Sequence, residues 1–313
     1  MTPCTTFWEI LREAEDIIER AKKNPRYKNC DFFFRGEYHR FKPPGAPEPP
    51  PPDQCLPSIL RNKSRRQNEK KIFYETLRRY PEFFRHDMKT IETLYKFEHY
   101  GVPTRLMNIS EDLRLSAAMA TIPFNSGVKS EYDECNSFIS VYAVEKSRIK
   151  YSDSDIVTAI AAAVKLDDDK ITLSHDGLGY LGYEAKIDRP GFSVSERWIR
   201  DMLLQDLPHV WCVKPILSTE RIQRQSGCFF LFGFSDNKKL IPATFSEADF
   251  SNRDAATYGI ARVGVVTIRG DKKKAVAKEL RRVGMAEYQY YPELSSFARY
   301  LVRCVDDEED LGL

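Results

Sequence analysis

Phe32-Phe33-Phe34-Arg35-Gly36 is the stretch on which the fold turns. Three consecutive aromatics read as a short buried strand. It ends on a guanidinium, a planar fork of donors suited to phosphate or carboxylate. The next residue has no side chain, so a ligand can approach its backbone. The same residues also fit a salt-bridged strand end followed by a turn. Three further strings follow at long intervals: Leu56-Pro57-Ser58-Ile59-Leu60-Arg61, His99-Tyr100-Gly101-Val102-Pro103-Thr104-Arg105-Leu106, and Arg221-Ile222-Gln223-Arg224-Gln225-Ser226-Gly227-Cys228-Phe229. Their order carries more information than any one of them.

Taken together, and with Tyr291-Pro292-Glu293-Leu294 near the end, the strings resemble the FRG domain family, named for its Phe/Tyr-Arg-Gly tripeptide. The resemblance runs from about Cys30 to about Cys304. It implies an FRG domain over 30–304; the residues themselves add an N-terminal helix in 1–29, a Pro-rich loop at 42–53 and an acidic tail at 305–313. More loosely, the pattern is similar to ADP-ribosyltransferases, where a first core strand ends in Arg-Gly or His-Gly and holds NAD. There a second strand carries small hydroxyl residues and a third a Glu, often as Gln-x-Glu. Here the third element reads Gln223-Arg224-Gln225, without the Glu, and Met107-Asn108-Ile109 stands where most family members have Leu-Asp-Trp.

At 313 residues the chain is long enough for one large domain or two ordinary ones, and 42% hydrophobic residues supply a core. Forty-eight Lys and Arg against 46 Asp and Glu leave a formal charge of +2, which by itself demands no nucleic-acid partner. Charge is nonetheless local: Arg61 to Arg66, Lys70-Lys71 and Arg78-Arg79 form a basic run, and Asp306 to Asp310 an acidic one. The seven cysteines, at 4, 30, 55, 135, 212, 228 and 304, show no metal-ligand spacing, and no apolar run is long enough for a bilayer. The expectation is a cytoplasmic protein with reduced thiols, no structural metal and no membrane partner.

Thr6-Phe7-Trp8-Glu9 is a capping-box pattern that opens a helix, with apolar positions Trp8, Leu11, Ala14, Ile18 and Ala21. Helical patterns follow at about Asn68 to Tyr80, Met88 to Tyr100, Ser110 to Thr121, Ile156 to Val164, Val194 to Leu207 (capped by Ser193), Asp271 to Val283 and Glu293 to Arg303. Gly101 and Pro103 place Thr104 and Arg105 on a connection. Strands are expected at Phe138 to Val144, Val210 to Val213, Cys228 to Phe232 and Val263 to Ile268. The fold class this predicts is α+β: a helical N-terminal half packed on a small, mainly antiparallel sheet, ADP-ribosyltransferase-like on the resemblance.

The resemblance implies NAD as substrate. Arg35 then holds a phosphate or ribose, Gly36 admits the nicotinamide ring, and Thr104, Arg105 and Gly227 join the binding set. His99 and Gln225 are the catalytic candidates. Cleaving the N-glycosidic bond develops positive charge at the ribose, which calls for a carboxylate, and Glu37, Glu111, Glu184 and Glu220 are the acids considered for it. Structural alternatives stand beside these roles: a helix-terminal imidazole for His99, a cap for Thr104, an ion pair for Arg105 and a glycine bulge for Gly227. Three functions compete. One is an ADP-ribosyltransferase-like enzyme, a toxin or antiviral defence effector that modifies nucleic acid or protein. The others are a non-catalytic module that recognises a nucleotide or phosphate, and a scaffolding protein.

Overall fold

The computed structural model describes residues 2–39, 56–84, 87–122, 134–167, 175–192, 197–235 and 245–306. The Pro-rich loop, the Ser193 cap and most of the acidic tail lie outside them. Seven strands among the described residues form one sheet in the order β4-β5-β6-β2-β1-β3-β7. They are β1 (Cys30–Glu37), β2 (Leu106–Ser110), β3 (Ser137–Glu145), β4 (Ile149–Tyr151), β5 (Val210–Lys214), β6 (Gly227–Phe232) and β7 (Ile260–Ile268). Every neighbouring pair is antiparallel except β4 beside β5. The α+β class and the mainly antiparallel sheet therefore stand.

The sheet consists of two well-zipped halves joined by a narrow seam. β1 pairs with β3 from Cys30 to Glu37, and β2 pairs with β6 along its whole length. Between β1 and β2 the register holds only at Phe34 opposite Ser110. Each half buries one face beneath its own helices. Over β1, β3 and β7 lie α1 (Phe7–Lys22), α5 (Leu113–Thr121) and α10 (Lys273–Arg282), closing a core that holds Phe34, Val141 and Val266. Over β2, β5 and β6 lie α3 (Glu69–Arg79), α4 (Thr90–His99), α6 (Asp155–Ala162), α7 (His175–Asp188) and α8 (Arg197–Asp206), around Leu106, Trp211 and Phe229. The opposite faces of both halves meet in a third core, where Tyr142 stands edge-on to Phe230 and Phe230 stacks on Phe245. Strands covered on both faces read as continuous apolar runs, as in Gly227–Phe232. Four short or terminal helices complete the chain: α2 (Lys63–Gln67), α9 (Glu220–Arg224), α11 (Glu287–Tyr290) and α12 (Leu294–Asp306).

Three expectations need correction. The N-terminal half is not a purely helical layer on the sheet: it also supplies β1 to β4, of which β2, β1 and β3 are adjacent in the sheet. The capping box of α1 forms as read, with Glu9 N donating to Thr6 Oγ1, but the buried stripe is Phe7, Ile10, Ala14, Ile17 and Ala21. Trp8 is 66% exposed. Both stripes have helical spacing, and the strand beneath selects between them: a Cβ on Gly264 would come within 2.6 Å of Ile17, so that glycine seats Ile17 directly on β7. The helix expected from Ser110 begins only at Leu113, capped by Asp112, because Leu106–Ser110 is a central strand.

Candidate functional site

The seam places the site. Carried on past Phe34 and Ser110, the register would set Gly36 opposite Asn108; instead the strands part, and a narrow cleft open to solvent lies between them. Arg35 crosses the gap, donating from one guanidinium nitrogen to the Asn108 carbonyl at 2.7 Å and from Nε to Glu37 Oε1 at 3.2 Å. Beside Arg35 and Gly36 the cleft is lined by Asn108 and Ser110 from β2 and by Ser116 from α5. Gln225 and Gly227 contribute from the α9–β6 turn, and His99 from the end of α4. Five of the seven sequence-assigned residues thus converge on one cleft, drawn from three of the four strings.

Their local roles differ from those expected. The missing side chain of Gly36 is required by the fold, since a Cβ there would lie 1.8 Å from the Ser116 carbonyl; α5, not a ligand, fills that space. Gly227 has no such demand, its nearest would-be contact being 3.8 Å away. Gln225 is not on a strand: it caps α9, and Ser226 after it takes φ 41, a left-handed turn into β6. Its side-chain amide donates to the Tyr290 carbonyl at 3.1 Å, and its own carbonyl accepts from Ser110 Oγ at 3.0 Å. Gln225 therefore ties α11 and β2 together at the cleft wall.

Thr104 and Arg105 do not line the cleft. Arg105 is fully buried and pairs in bidentate fashion with Glu69 at 2.6 and 2.7 Å, beneath the ring of Phe234, which makes it the structural ion pair. Thr104 Oγ1 donates to Glu98 Oε2 at 2.8 Å, and its backbone N–H donates to Ser58 Oγ, binding the second string to the third.

Thr104 thereby orients a carboxylate that sequence reasoning missed. Burial pushes the Glu98 carboxyl above its ordinary range, and Arg35, Arg61 and Arg221 pull it back down. Each of the four strings adjoins or supplies this cluster: Arg35 from the first, Arg61 from the second, Glu98 immediately before the third, and Arg221 from the fourth. Arg61 Nε donates to the Leu56 carbonyl, and burial lowers the affinity of its guanidinium for a proton. Arg221 donates to the His99 carbonyl at 3.0 Å and to Glu293 at 3.1 Å, and its plane lies 4.3 Å from the Tyr291 ring centre. Burial, reinforced by Arg221, drives the His99 imidazole down to about 3, so it is neutral at neutral pH. The only sequence signal for this cluster was its adjacency to the strings; Asn108, a polar residue within the short apolar stretch after Arg105, was the other clue.

The acids considered from sequence are engaged elsewhere or at the rim. Glu37 holds Arg35, Glu111 pairs with Lys214 at 2.7 Å, Glu184 approaches Lys165, and Glu220 pairs with Arg224. None of them lines the cleft. Among the described residues no group of His, Cys, Asp and Glu could hold a metal ion, and no helix is long and apolar enough to cross a membrane. Comparison with family models, curated proteins and solved structures finds no match to this chain.

Proposed function

We propose that the seam cleft binds NAD, or another nucleotide, and that the chain is an ADP-ribosyltransferase-like enzyme of the kind its FRG resemblance implies. The convergence of Arg35, Gly36, His99, Gln225 and Gly227 on one cleft carries this reading. Apolar walls from Phe34, Ile222 and Phe229 suit a heterocycle. Arg35 in the lining suits phosphate oxygens through charge-assisted hydrogen bonds, with Arg61 and Arg221 adding positive charge around Glu98. Neutral His99 suits a hydrogen bond to a ribose hydroxyl. Glu98, which does not itself line the cleft but interacts with Arg35, which does, is the carboxylate proposed in place of the four acids named from sequence. An acceptor nucleic acid or protein, a toxin or antiviral defence role and a cytoplasmic location belong to the same proposal.

The binding-module reading has its own support: no carboxylate lines the cleft among the described residues, and the Gln225 amide is spent on Tyr290. The scaffold reading rests on the helical N-terminal half and on the Pro-rich loop, which lies outside the described residues. Calorimetry with NAD and ADP-ribose, together with an assay for released nicotinamide, separates the first two. Binding with release supports the enzyme, and binding without release supports the module. No binding sinks both. Arg35→Ala is expected to weaken NAD binding by about 1.5–3 kcal/mol, the scale of a charge-assisted hydrogen bond.

A further inference from the structure

Two buried polar atoms in the cleft have no hydrogen-bond partner among the described residues: Asn108 Oδ1 and Ser116 Oγ. Ser116 is 1% exposed, and both residues line the cleft. Buried polar atoms in folded proteins are almost always satisfied, so each exception calls for an explanation. Two exceptions on residues that line one cleft, from different elements, point to a common one. The Asn oxygen can only accept, while the Ser hydroxyl can also donate.

Resting on the nucleotide reading above, we infer that Asn108 and Ser116 form a recognition pair for a planar heterocycle whose edge carries an amino donor beside an acceptor. A primary carboxamide and a 6-aminopurine share that edge. Asn108 Oδ1 accepts from the amino group, and Ser116 donates to the neighbouring oxygen or ring nitrogen. Phe34, Leu115, Ile222 and Phe229 provide an apolar surround in which an unmatched edge would lose its hydration without compensation. A carboxylate at the same place would face the Asn oxygen, acceptor against acceptor. The site is thus expected to reject acids in favour of amides. Sites built to hydrogen-bond a ligand edge discriminate strongly, because the wrong ligand leaves their polar groups unpaired.

The test measures binding of nicotinamide against nicotinic acid, and of adenosine against inosine, to the full chain and to its Ser116→Ala and Asn108→Leu variants. The wild type is expected to prefer the amino-bearing member of at least one pair by about tenfold or more. The pair that shows the preference identifies which heterocycle the cleft takes. Both variants should lose about tenfold in affinity for the preferred ligand and most of the preference, with a melting temperature unchanged or raised, since each removes a buried polar atom with no partner among the described residues. A purely structural role would lower the melting temperature and leave the preference intact, which overturns the inference. A wild type that favours nicotinic acid and inosine overturns it as well. Absence of any binding by the wild type overturns the nucleotide reading and the pair together, whereas ligand binding that both variants retain overturns the pair alone.

Discussion

Gly36 and Gly227 look alike in the sequence, each beside a residue assigned to ligand binding, yet the packing asks opposite things of them. A Cβ at Gly36 would sit 1.8 Å from the backbone of α5, which cannot give way as a side-chain tip could; at Gly227 it would meet only ordinary contacts. Gly36→Ala is therefore expected to cost about 1–3 kcal/mol or more, the range of overpacking. Gly227→Ala should stay within about 1 kcal/mol, the scale of an unstrained glycine replacement. Urea denaturation of both variants checks this, and equal losses would contradict it. His99 carries a second prediction. Its folded value of about 3 lies below the ordinary 6.5, so as pH falls through 6.5 the unfolded chain takes up a proton that the native protein refuses. Stability from this group is fully present above pH 6.5 and is lost progressively down to about pH 3. At pH 5 the loss amounts to at most about 2 kcal/mol, and His99→Gln should flatten the fall in melting temperature between pH 7 and 5. Parallel curves for the two proteins would show that the imidazole titrates freely in the native state.

At the scale of elements, helices were legible and short strands less so. Thr6 and Glu9 announce α1 through local hydrogen bonds, and Gly101 and Gly284, both in left-handed conformation, end α4 and α10 as their positions suggest. β2 is five residues long, has Asn108 in its middle and runs into a helical pattern, so neither alternation nor a continuous apolar run marks it. Only its neighbours β1 and β6 make it a strand. What anchors it is the pairing of Arg105, just before its first residue, with Glu69 at the start of α3, 36 residues away. Removing one partner leaves the other charged and buried. Glu69→Ala is thus expected to destabilise the protein by about 3–5 kcal/mol, while Glu69→Leu combined with Arg105→Met recovers much of the loss. Because this pair stands outside the cleft, nucleotide affinity measured under conditions where the Glu69 variant is still folded should match the wild type. Reduced affinity there would place the pair within the binding machinery.

Across the whole molecule, the site exists because two halves of a sheet share one register point and then diverge. Residues as far apart as Arg35 and Asn108, separated by 73 positions, meet only there. By itself the sequence determined the α+β class, most of the longer helices with the ends of α1, α4 and α10, the longer apolar strands, and the four strings whose residues gather around the cleft and Glu98. Those properties follow from spacing and from local hydrogen bonding, which a chain carries wherever it goes. Tertiary structure alone decided which apolar stripe of α1 is buried, that Gly36 makes room for a helix, that Arg105 belongs to an ion pair, and that Glu98 lies among three guanidinium groups. Each of these depends on what another part of the chain brings to within a few ångströms, and steric exclusion, burial and Coulomb attraction at that range leave no periodic trace in the residues that feel them.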